Sequence, residues 1–68
     1  MSNHVYKTIE LIGSSSKSSD DAVRNAIERA GKTLHNLDWF EVKEMRGHLA
    51  DGKIAHWQVK LAVGFRLD

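Results

Sequence analysis

Residues 38–42, Asp-Trp-Phe-Glu-Val, and residues 55–59, Ala-His-Trp-Gln-Val, decide the fold, because they are predicted to lie on the two arms of one β-hairpin. Asp51 and Gly52 stand between them, and this dipeptide is typical of two-residue turns in which both central positions need positive φ. In the second arm every odd position from 55 to 67 is apolar, whereas most even positions are polar. This alternation predicts a half-buried strand with Trp57 facing the core.

The first arm carries a tryptophan on a face that is otherwise charged. Phe40 and Val42 share the parity of a core face, so Trp39 points to the opposite side of the strand. Farther along, the inward position passes to Met45, a change of parity that predicts a β-bulge near residues 43–44. Beyond such a bulge, Arg46 joins the face that carries the tryptophan.

This outer face is therefore predicted to hold Trp39, Arg46 and Gln58, with His48 beside them. An indole, a guanidinium and an amide suit a flat polar heterocycle, since the amide offers both a donor and an acceptor. Trp39 has an equally simple interpretation as an anchor buried between subunits, and the pattern alone does not separate the two. At a two-fold axis the indole would meet its own copy, and the gap between two indoles suits flat rings.

The rest of the chain predicts one strand and one helix. Residues 4–12 alternate as a strand, and the serine-rich residues 13–19 are interpreted as a loop that ends in a helix cap at Ser18 or Ser19. The alternative, a phosphate cradle, lacks the glycine spacing of a P-loop. Asn36 is the predicted left-handed terminator of the helix. The helix presents one apolar stripe, formed by Ala22, Val23, Ala26, Ile27, Ala30 and Leu34.

The order β-α-β-β predicts an α+β fold, in which a three-stranded antiparallel sheet of order 1-3-2 wraps around one helix. A helix of about 16 residues spans ~24 Å. The hairpin arms, of about 13 to 15 residues, span roughly 45 Å. One helix therefore leaves apolar sheet surface uncovered, and the two outer strands have open edges. Both features predict obligate assembly of several copies.

Composition limits the classes of function. Sixty-eight residues predict one domain, residues 1–68, of a size that is usually marginal without a disulfide, a metal or oligomerisation, and there is no cysteine. The ten basic and nine acidic residues are scattered, which argues against a nucleic-acid partner. No apolar run reaches membrane-span length, and residues 1–4 lack the apolar region of a signal peptide, so we expect no membrane partner and a cytoplasmic location.

The four histidines do not follow a metal-binding motif. No two lie four residues apart on the predicted helix, and none belongs to an HExxH pattern, so no metal site is predicted. A weak site formed by His48 and His56 across the hairpin is the alternative to ordinary surface imidazoles. The serines follow no nucleophile elbow and no acid–base pair stands out, so we expect no enzymatic activity.

Taken in order, several segments closely resemble bacterial dodecins: residues 37–42 (Leu-Asp-Trp-Phe-Glu-Val), 46–48 (Arg-Gly-His), 55–59 and 63–67 (Val-Gly-Phe-Arg-Leu). The resemblance covers essentially the whole chain. It implies a flavin-binding protein of β-α-β-β fold that assembles into a hollow homododecamer, with flavins bound as antiparallel pairs between tryptophans at two-fold interfaces. The implied cofactor is FMN, or else riboflavin or FAD, and some members also hold coenzyme A near the three-fold axes.

By this resemblance Trp39 is the stacking residue, Gln58 hydrogen-bonds the isoalloxazine edge, Arg46 lies close to the flavin and Asp38 flanks the pocket. The implied function is flavin storage and buffering, with quenching of flavin photochemistry by electron exchange with the indole. Two alternatives stay open. One is a structural interaction module without a ligand, in which Trp39 only joins subunits, and the other is a flavin-dependent redox enzyme.

Overall fold

A computed structural model describes residues 3–67 of the chain, which form three strands and one helix. Strand β1 covers Val5–Ser15, helix α1 covers Ser19–Ala30, β2 covers Leu37–Ala50 and β3 covers Lys53–Leu67. The strands form one antiparallel sheet in the order β1-β3-β2. The predicted α+β class, the order of elements and the central position of the third strand are confirmed.

The hairpin that joins β2 and β3 has the predicted turn. Asp51 and Gly52 both adopt positive φ, 53° and 73°, and Ala50 pairs with Lys53 on either side of them. An aspartate accepts this backbone conformation more easily than a β-branched residue does, and the glycine accepts it without strain. The turn thereby sets the register along which the two long arms pair.

A β-bulge interrupts β2 where the change of parity predicted one. Val42 pairs with Leu61 and Glu44 pairs with Lys60, so Lys43 is an extra residue without a partner on β3. Between Trp39 and the bulge the even-numbered residues of β2 share the face of α1, and after the bulge the odd-numbered residues up to Gly47 do.

The core lies between α1 and the two strands β1 and β3. Three alanines at helical spacing, Ala22, Ala26 and Ala30, are buried on the helix. They face fully buried side chains of β3: Val59, Leu61 and Val63. Small side chains allow the helix to lie close to the sheet. At Gly13 of β1 the approach is so tight that a Cβ would collide with the carbonyl group of Ala22.

The helix is shorter than the sequence predicted. It ends at Ala30, and the backbone N–H of Gly31 donates to the carbonyl of Ile27 at 2.9 Å. Asn36 does adopt a left-handed conformation, with φ of 62°, but it stands just before β2 rather than at the helix end. Residues 31–33 form a hydrogen-bonded turn and residues 34–36 have no regular secondary structure, so Leu34 belongs to the connection and not to the helical stripe.

The serine-rich segment is partly strand and partly cap. Strand β1 continues through Ser15, three residues beyond its predicted end. The Ser15 hydroxyl donates to Asp21 Oδ2 at 2.7 Å and accepts from the N–H of Lys17 at 2.9 Å. The Ser18 hydroxyl accepts from the N–H of Asp21 at 3.0 Å, which confirms the predicted cap. These contacts support the interpretation as loop and cap.

The helix leaves much of the hairpin uncovered, as the predicted lengths indicated. The described residues extend over 55 × 21 × 14 Å, and α1 lies against β1 and β3 at one part of this length. On the face of α1, Phe40 is 51% exposed and Met45 60% exposed. Within residues 3–67, no helix has the length and apolar character needed to cross a membrane. The uncovered apolar side chains are therefore a surface that other copies could cover.

Candidate ligand-binding face

The sheet face opposite α1, called the outer face from this point, is the predicted site. The register places alternate residues of β2 and β3 on it, and the bulge at Lys43 keeps both halves of β2 aligned with β3. Its members on β2 are Trp39, Glu41, Glu44, Arg46 and His48, and those on β3 are His56, Gln58, Lys60, Ala62 and Gly64. The predicted outward position of Trp39, and the transfer of Arg46 to the same face, are confirmed.

The indole of Trp39 lies over a glycine on the neighbouring strand. Trp39 pairs with Gly64, and a Cβ built on Gly64 would collide with indole atoms Cε2, Cζ2 and Cη2. A glycine inside a strand often marks such a close approach. The residue remains 43% exposed, so one aromatic surface rests on the sheet while the rest is accessible to a ligand or to another copy.

Strand β1 contributes a second aromatic ring to the same place. Tyr6 pairs with Arg66 on β3, and its ring centroid lies 5.1 Å from that of Trp39, with the planes tilted by 59°. Neither Tyr6 nor Gly64 was predicted from the sequence to be a site residue. Two features of the sequence could have identified them. Tyr6 occupies a position of β1 that points away from the core, and Gly64 occupies a position of β3 where the alternation predicts a polar side chain.

Arg46 and Gln58 form a second group of polar side chains on the outer face. They are direct partners across β2 and β3. Arg46 Nη2 donates to Glu44 Oε1 at 2.7 Å, and both side chains are about half exposed. Exposed ion pairs of this kind usually stabilise a fold by less than about 1 kcal/mol. The guanidinium and the half-buried amide of Gln58 are therefore free to contact a ligand at little cost to the fold.

The two groups are well separated within one copy. Trp39 pairs with Gly64, whereas Arg46 pairs with Gln58, six residues earlier on β3. At ~3.3 Å per residue this places them roughly 20 Å apart. A planar ring stacked on Trp39 does not reach Gln58 of the same chain.

Asp38 lies at the start of β2, beside the tryptophan. Leu37 pairs with Phe65 and Trp39 pairs with Gly64, so Asp38 is an extra, unpaired residue in the register. Its exposed side chain lines a shallow cavity of about 190 Å³ together with Asn36 and Arg66. The structure therefore places Asp38 next to Trp39 and far from Gln58.

The inner face, which packs against α1, has an apolar groove of its own. It lies between α1 and β2, has a volume of about 430 Å³ and is lined largely by Val23, Ile27, Phe40 and Val42. Among residues 3–67, no group of three or more histidine, aspartate or glutamate side chains is placed to hold a metal ion. The groove separates α1 from β2, so the apolar side chains of β2 on the inner face are not covered by the helix.

These features define a class of protein: a small β-α-β-β domain with an exposed aromatic site and apolar surface that the single chain leaves uncovered. The model of the Dodecin family matches residues 5–68. A dodecin from Thermus thermophilus is 50% identical over 64 residues, which cover 94% of this chain and 93% of that protein.

Solved structures give the same result. A dodecin from Streptomyces davaonensis is 61% identical with a TM-score of 0.95, covering 98% of each chain. The dodecin from Streptomyces coelicolor is 56% identical with a TM-score of 0.95, covering 100% of this chain and 97% of that one. The chain belongs to the dodecin family.

Proposed function

We propose that this protein stores and buffers flavin, with FMN as its principal ligand, at sites formed between copies of itself. The observation that carries the proposal is the half-exposed indole of Trp39, which Gly64 and Tyr6 support on the outer face. A soluble ligand with a large planar ring is the natural complement of such a surface. Membership in the dodecin family supports the same conclusion.

The residues of the outer face fit the chemistry of a flavin. Trp39 offers an aromatic surface for stacking, and the Gln58 amide offers a donor and an acceptor to the edge of a heterocycle. Arg46 adds a cationic donor beside Gln58, and Asp38 borders the aromatic end. When bound, the flavin would supply a light-absorbing, redox-active ring.

A complete site of this kind requires two copies of the chain. Trp39 and Gln58 lie roughly 20 Å apart in one copy by strand geometry, so one ring does not contact both. Two outer faces related by a two-fold axis run antiparallel, which brings the aromatic end of one copy towards the polar end of the other. This separation supports a binding site at a two-fold interface, with Trp39 and Gln58 of any one site supplied by different copies.

The inner face supports a larger assembly. The groove beside Phe40 and Val42 is apolar and uncovered, and the edges of β1 and β2 are free to pair within the described residues. Surfaces of this type are usually covered by other subunits. Together with the family, they support a homododecamer. Coenzyme A, which the resemblance implies as a second ligand, is part of the proposal without an assigned residue of this chain.

Trp39 also has a role in protection from light. With a flavin bound, the indole of Trp39 would be the group in contact with the ring, and it could supply an electron to the excited flavin and take it back, which would dissipate the excitation. No acid–base pair among the described residues lies beside Trp39 to accept a proton from a substrate, since its neighbours are Tyr6, Gly64 and the exposed Asp38. These neighbours support a storage role without turnover.

The test is a fluorescence titration of FMN with flavin-free, assembled protein. We expect flavin emission to fall as protein is added and to reach a plateau that reports the number of sites. Trp57→Phe is the matched control, because Trp57 lies on the inner face and is already half-buried. That variant should quench FMN as the parent does, whereas Trp39→Phe should quench less. Undiminished emission with excess parent protein would contradict the proposal.

The same sample separates the alternatives. Native mass spectrometry of the purified protein should show twelve chains with flavin bound. An assembly that binds no flavin would make Trp39 a subunit contact only. Reduction of the bound flavin by a nicotinamide donor, followed by productive reoxidation, would instead indicate a redox enzyme.

A further inference from the structure

The hairpin end of the outer face carries a pair of histidines that the proposed flavin site does not use. His48 of β2 and His56 of β3 are direct partners in the register. Their rings stack, with centroids 5.0 Å apart and planes only 18° from parallel. The sequence favoured independent surface imidazoles at these positions, whereas the structure brings the two rings together.

Both imidazoles keep their nitrogen atoms available. Within residues 3–67 neither ring takes part in a hydrogen bond or an ion pair, and each ring stacks on the other. His48 is exposed and His56 is half-buried, so the side chains can rotate about χ1 and χ2. Neutral imidazole with a free nitrogen is the commonest protein ligand for divalent transition metals.

We propose that His48 and His56 form a two-imidazole chelate for a divalent transition metal such as Cu²⁺, Ni²⁺ or Zn²⁺. Metal–nitrogen bonds of ~2.0–2.1 Å require the two ligating nitrogens to lie roughly 3 Å apart. Directly opposed residues of an antiparallel pair have Cβ atoms about 4.5–5.5 Å apart. A small rotation of each ring therefore converts the stacked pair into a chelate, and water completes the coordination.

The surroundings define which metals the pair accepts. Arg46, two residues from His48 on the outer face, is neutralised by Glu44 at 2.7 Å, which reduces its repulsion of a cation. No carboxylate is a partner of either histidine in the β2–β3 register, so the pair offers nitrogen and not oxygen. Imidazole ligands favour Cu²⁺, Ni²⁺ and Zn²⁺, whereas Mg²⁺ and Ca²⁺ prefer oxygen.

The histidine pair is independent of the aromatic end of the flavin site. His56 stands eight residues before Gly64 on β3, roughly 26 Å away at ~3.3 Å per residue. The pair does lie two residues from Gln58 and Arg46, roughly 7 Å along the strands. Metal binding is therefore measured in flavin-free protein, where its result does not depend on whether the proposed flavin function is correct.

The experiment is calorimetric titration of untagged, flavin-free assembled protein with NiCl₂. We expect one Ni²⁺ per chain, and MgCl₂ should give no binding heat. His48→Gln and His56→Gln should each weaken Ni²⁺ affinity about tenfold or more, because a chelate becomes a single contact. The double variant, which lacks both imidazoles, should give no Ni²⁺ binding heat at this site. His35→Gln is the matched control, since this exposed histidine lies in the connection before β2.

A second measurement needs no variant. Electron paramagnetic resonance of the parent protein with one equivalent of Cu²⁺ should show hyperfine coupling from two equivalent imidazole nitrogens. Coupling from one nitrogen, parent-like Ni²⁺ affinity in either single variant, or an equal loss in His35→Gln would overturn the proposal. Circular dichroism and native mass of each variant verify that fold and assembly are intact.

Discussion

The six-membered ring of the Trp39 indole lies where the side chain of residue 64 would be if that residue were not glycine. Gly64 sits in the central strand, where glycine weakens a sheet because it offers no side chain for packing. In return, the indole rests on the backbone of Gly64 and contacts the tilted ring of Tyr6, whose centroid is 5.1 Å away. Trp39 is thereby oriented before any ligand or second copy arrives, which reduces the entropy lost on binding.

Gly64→Ala should displace the indole and weaken FMN binding. A Cβ at residue 64 collides with three ring atoms of Trp39, so the ring must leave its position. We expect a loss comparable to removal of the stacking residue, about 1–3 kcal/mol by analogy with base–aromatic stacking. The measurement is an FMN titration, with near-ultraviolet circular dichroism to follow the indole.

Gly47→Ala is the matched control for this prediction. Gly47 also lies in the hairpin, but a Cβ there meets its nearest atom, the carbonyl oxygen of His56, at an ordinary 3.7 Å. FMN affinity should stay at the parent value in this variant. Equal losses in the two glycine variants would mean that general sheet distortion, and not the position of the indole, is responsible.

Trp39→Ala should weaken FMN binding by about 1–3 kcal/mol, because the stacking surface is removed. The free energy of unfolding of a single chain should change less than for a core tryptophan, since Trp39 is 43% exposed. Equilibrium titration gives the first quantity, and denaturant unfolding gives the second. Parent-like affinity would refute the role assigned to this residue.

Mixing two variants that each bind FMN weakly should restore some sites of parent affinity if each site draws on two copies. Trp39→Ala lacks the aromatic end and Gln58→Leu lacks the amide. In a randomly mixed assembly, about a quarter of the sites would combine an intact Trp39 from one copy with an intact Gln58 from another. The measurement is FMN capacity after the two proteins are unfolded and refolded together.

The mixing experiment gives a different result if each site is formed by a single chain. If Trp39 and Gln58 of the same chain served one site, no mixed assembly would contain both, and capacity would stay at the level of the separate variants. Each variant refolded alone provides the baseline.

Phe40→Gln should impair assembly more than it impairs the fold. Phe40 lines the uncovered groove beside α1 and is 51% exposed in the single chain, so its burial depends on other copies. Loss of a phenylalanine from a subunit interface should reduce association by about 1.5–3 kcal/mol per copy. Native mass spectrometry across a dilution series measures this change. Leu61→Ala, in the buried core, should instead lower the stability of the chain itself.

Ser18→Ala should destabilise the protein by about 0.5–2 kcal/mol, because the N–H of Asp21 loses its capping partner. Thermal unfolding of the assembled protein would report this as a lower midpoint. Ser16→Ala is the control, since Ser16 is exposed and no contact of its side chain is seen among the described residues. Equal midpoints for the two variants would show that the cap contributes nothing measurable.

The fold was predictable from sequence because its signals are local. The Asp51–Gly52 dipeptide, the alternation along β3 and the parity change before Met45 each depend on neighbouring residues, and all were confirmed. The predicted helix end was too late, because Asn36 has the expected left-handed conformation but stands just before β2, beyond the turn that follows Ala30. Local preference identified the conformation but not the length of the connection.

The site was predictable only in part. Parity placed Trp39, Arg46 and Gln58 on one face, but it carried no information on the distance between them along the sheet. That distance depends on the register, and the register joins Trp39 to Gly64. The supporting roles of Tyr6 and Gly64 arise from contacts across three strands, which no local pattern contains.

Because Lys43 is unpaired, even-numbered residues of β2 face α1 just before it and odd-numbered residues do so after it. Deleting this single residue would turn the far half of β2 over, so that Met45 would point to the polar side and Arg46 would be driven against the helix face. Insertions or deletions between Val42 and Glu44 should therefore be far more harmful than substitutions of Lys43 itself. The side chain at position 43 is exposed and contributes little to the fold, but the presence of one residue at this position is essential.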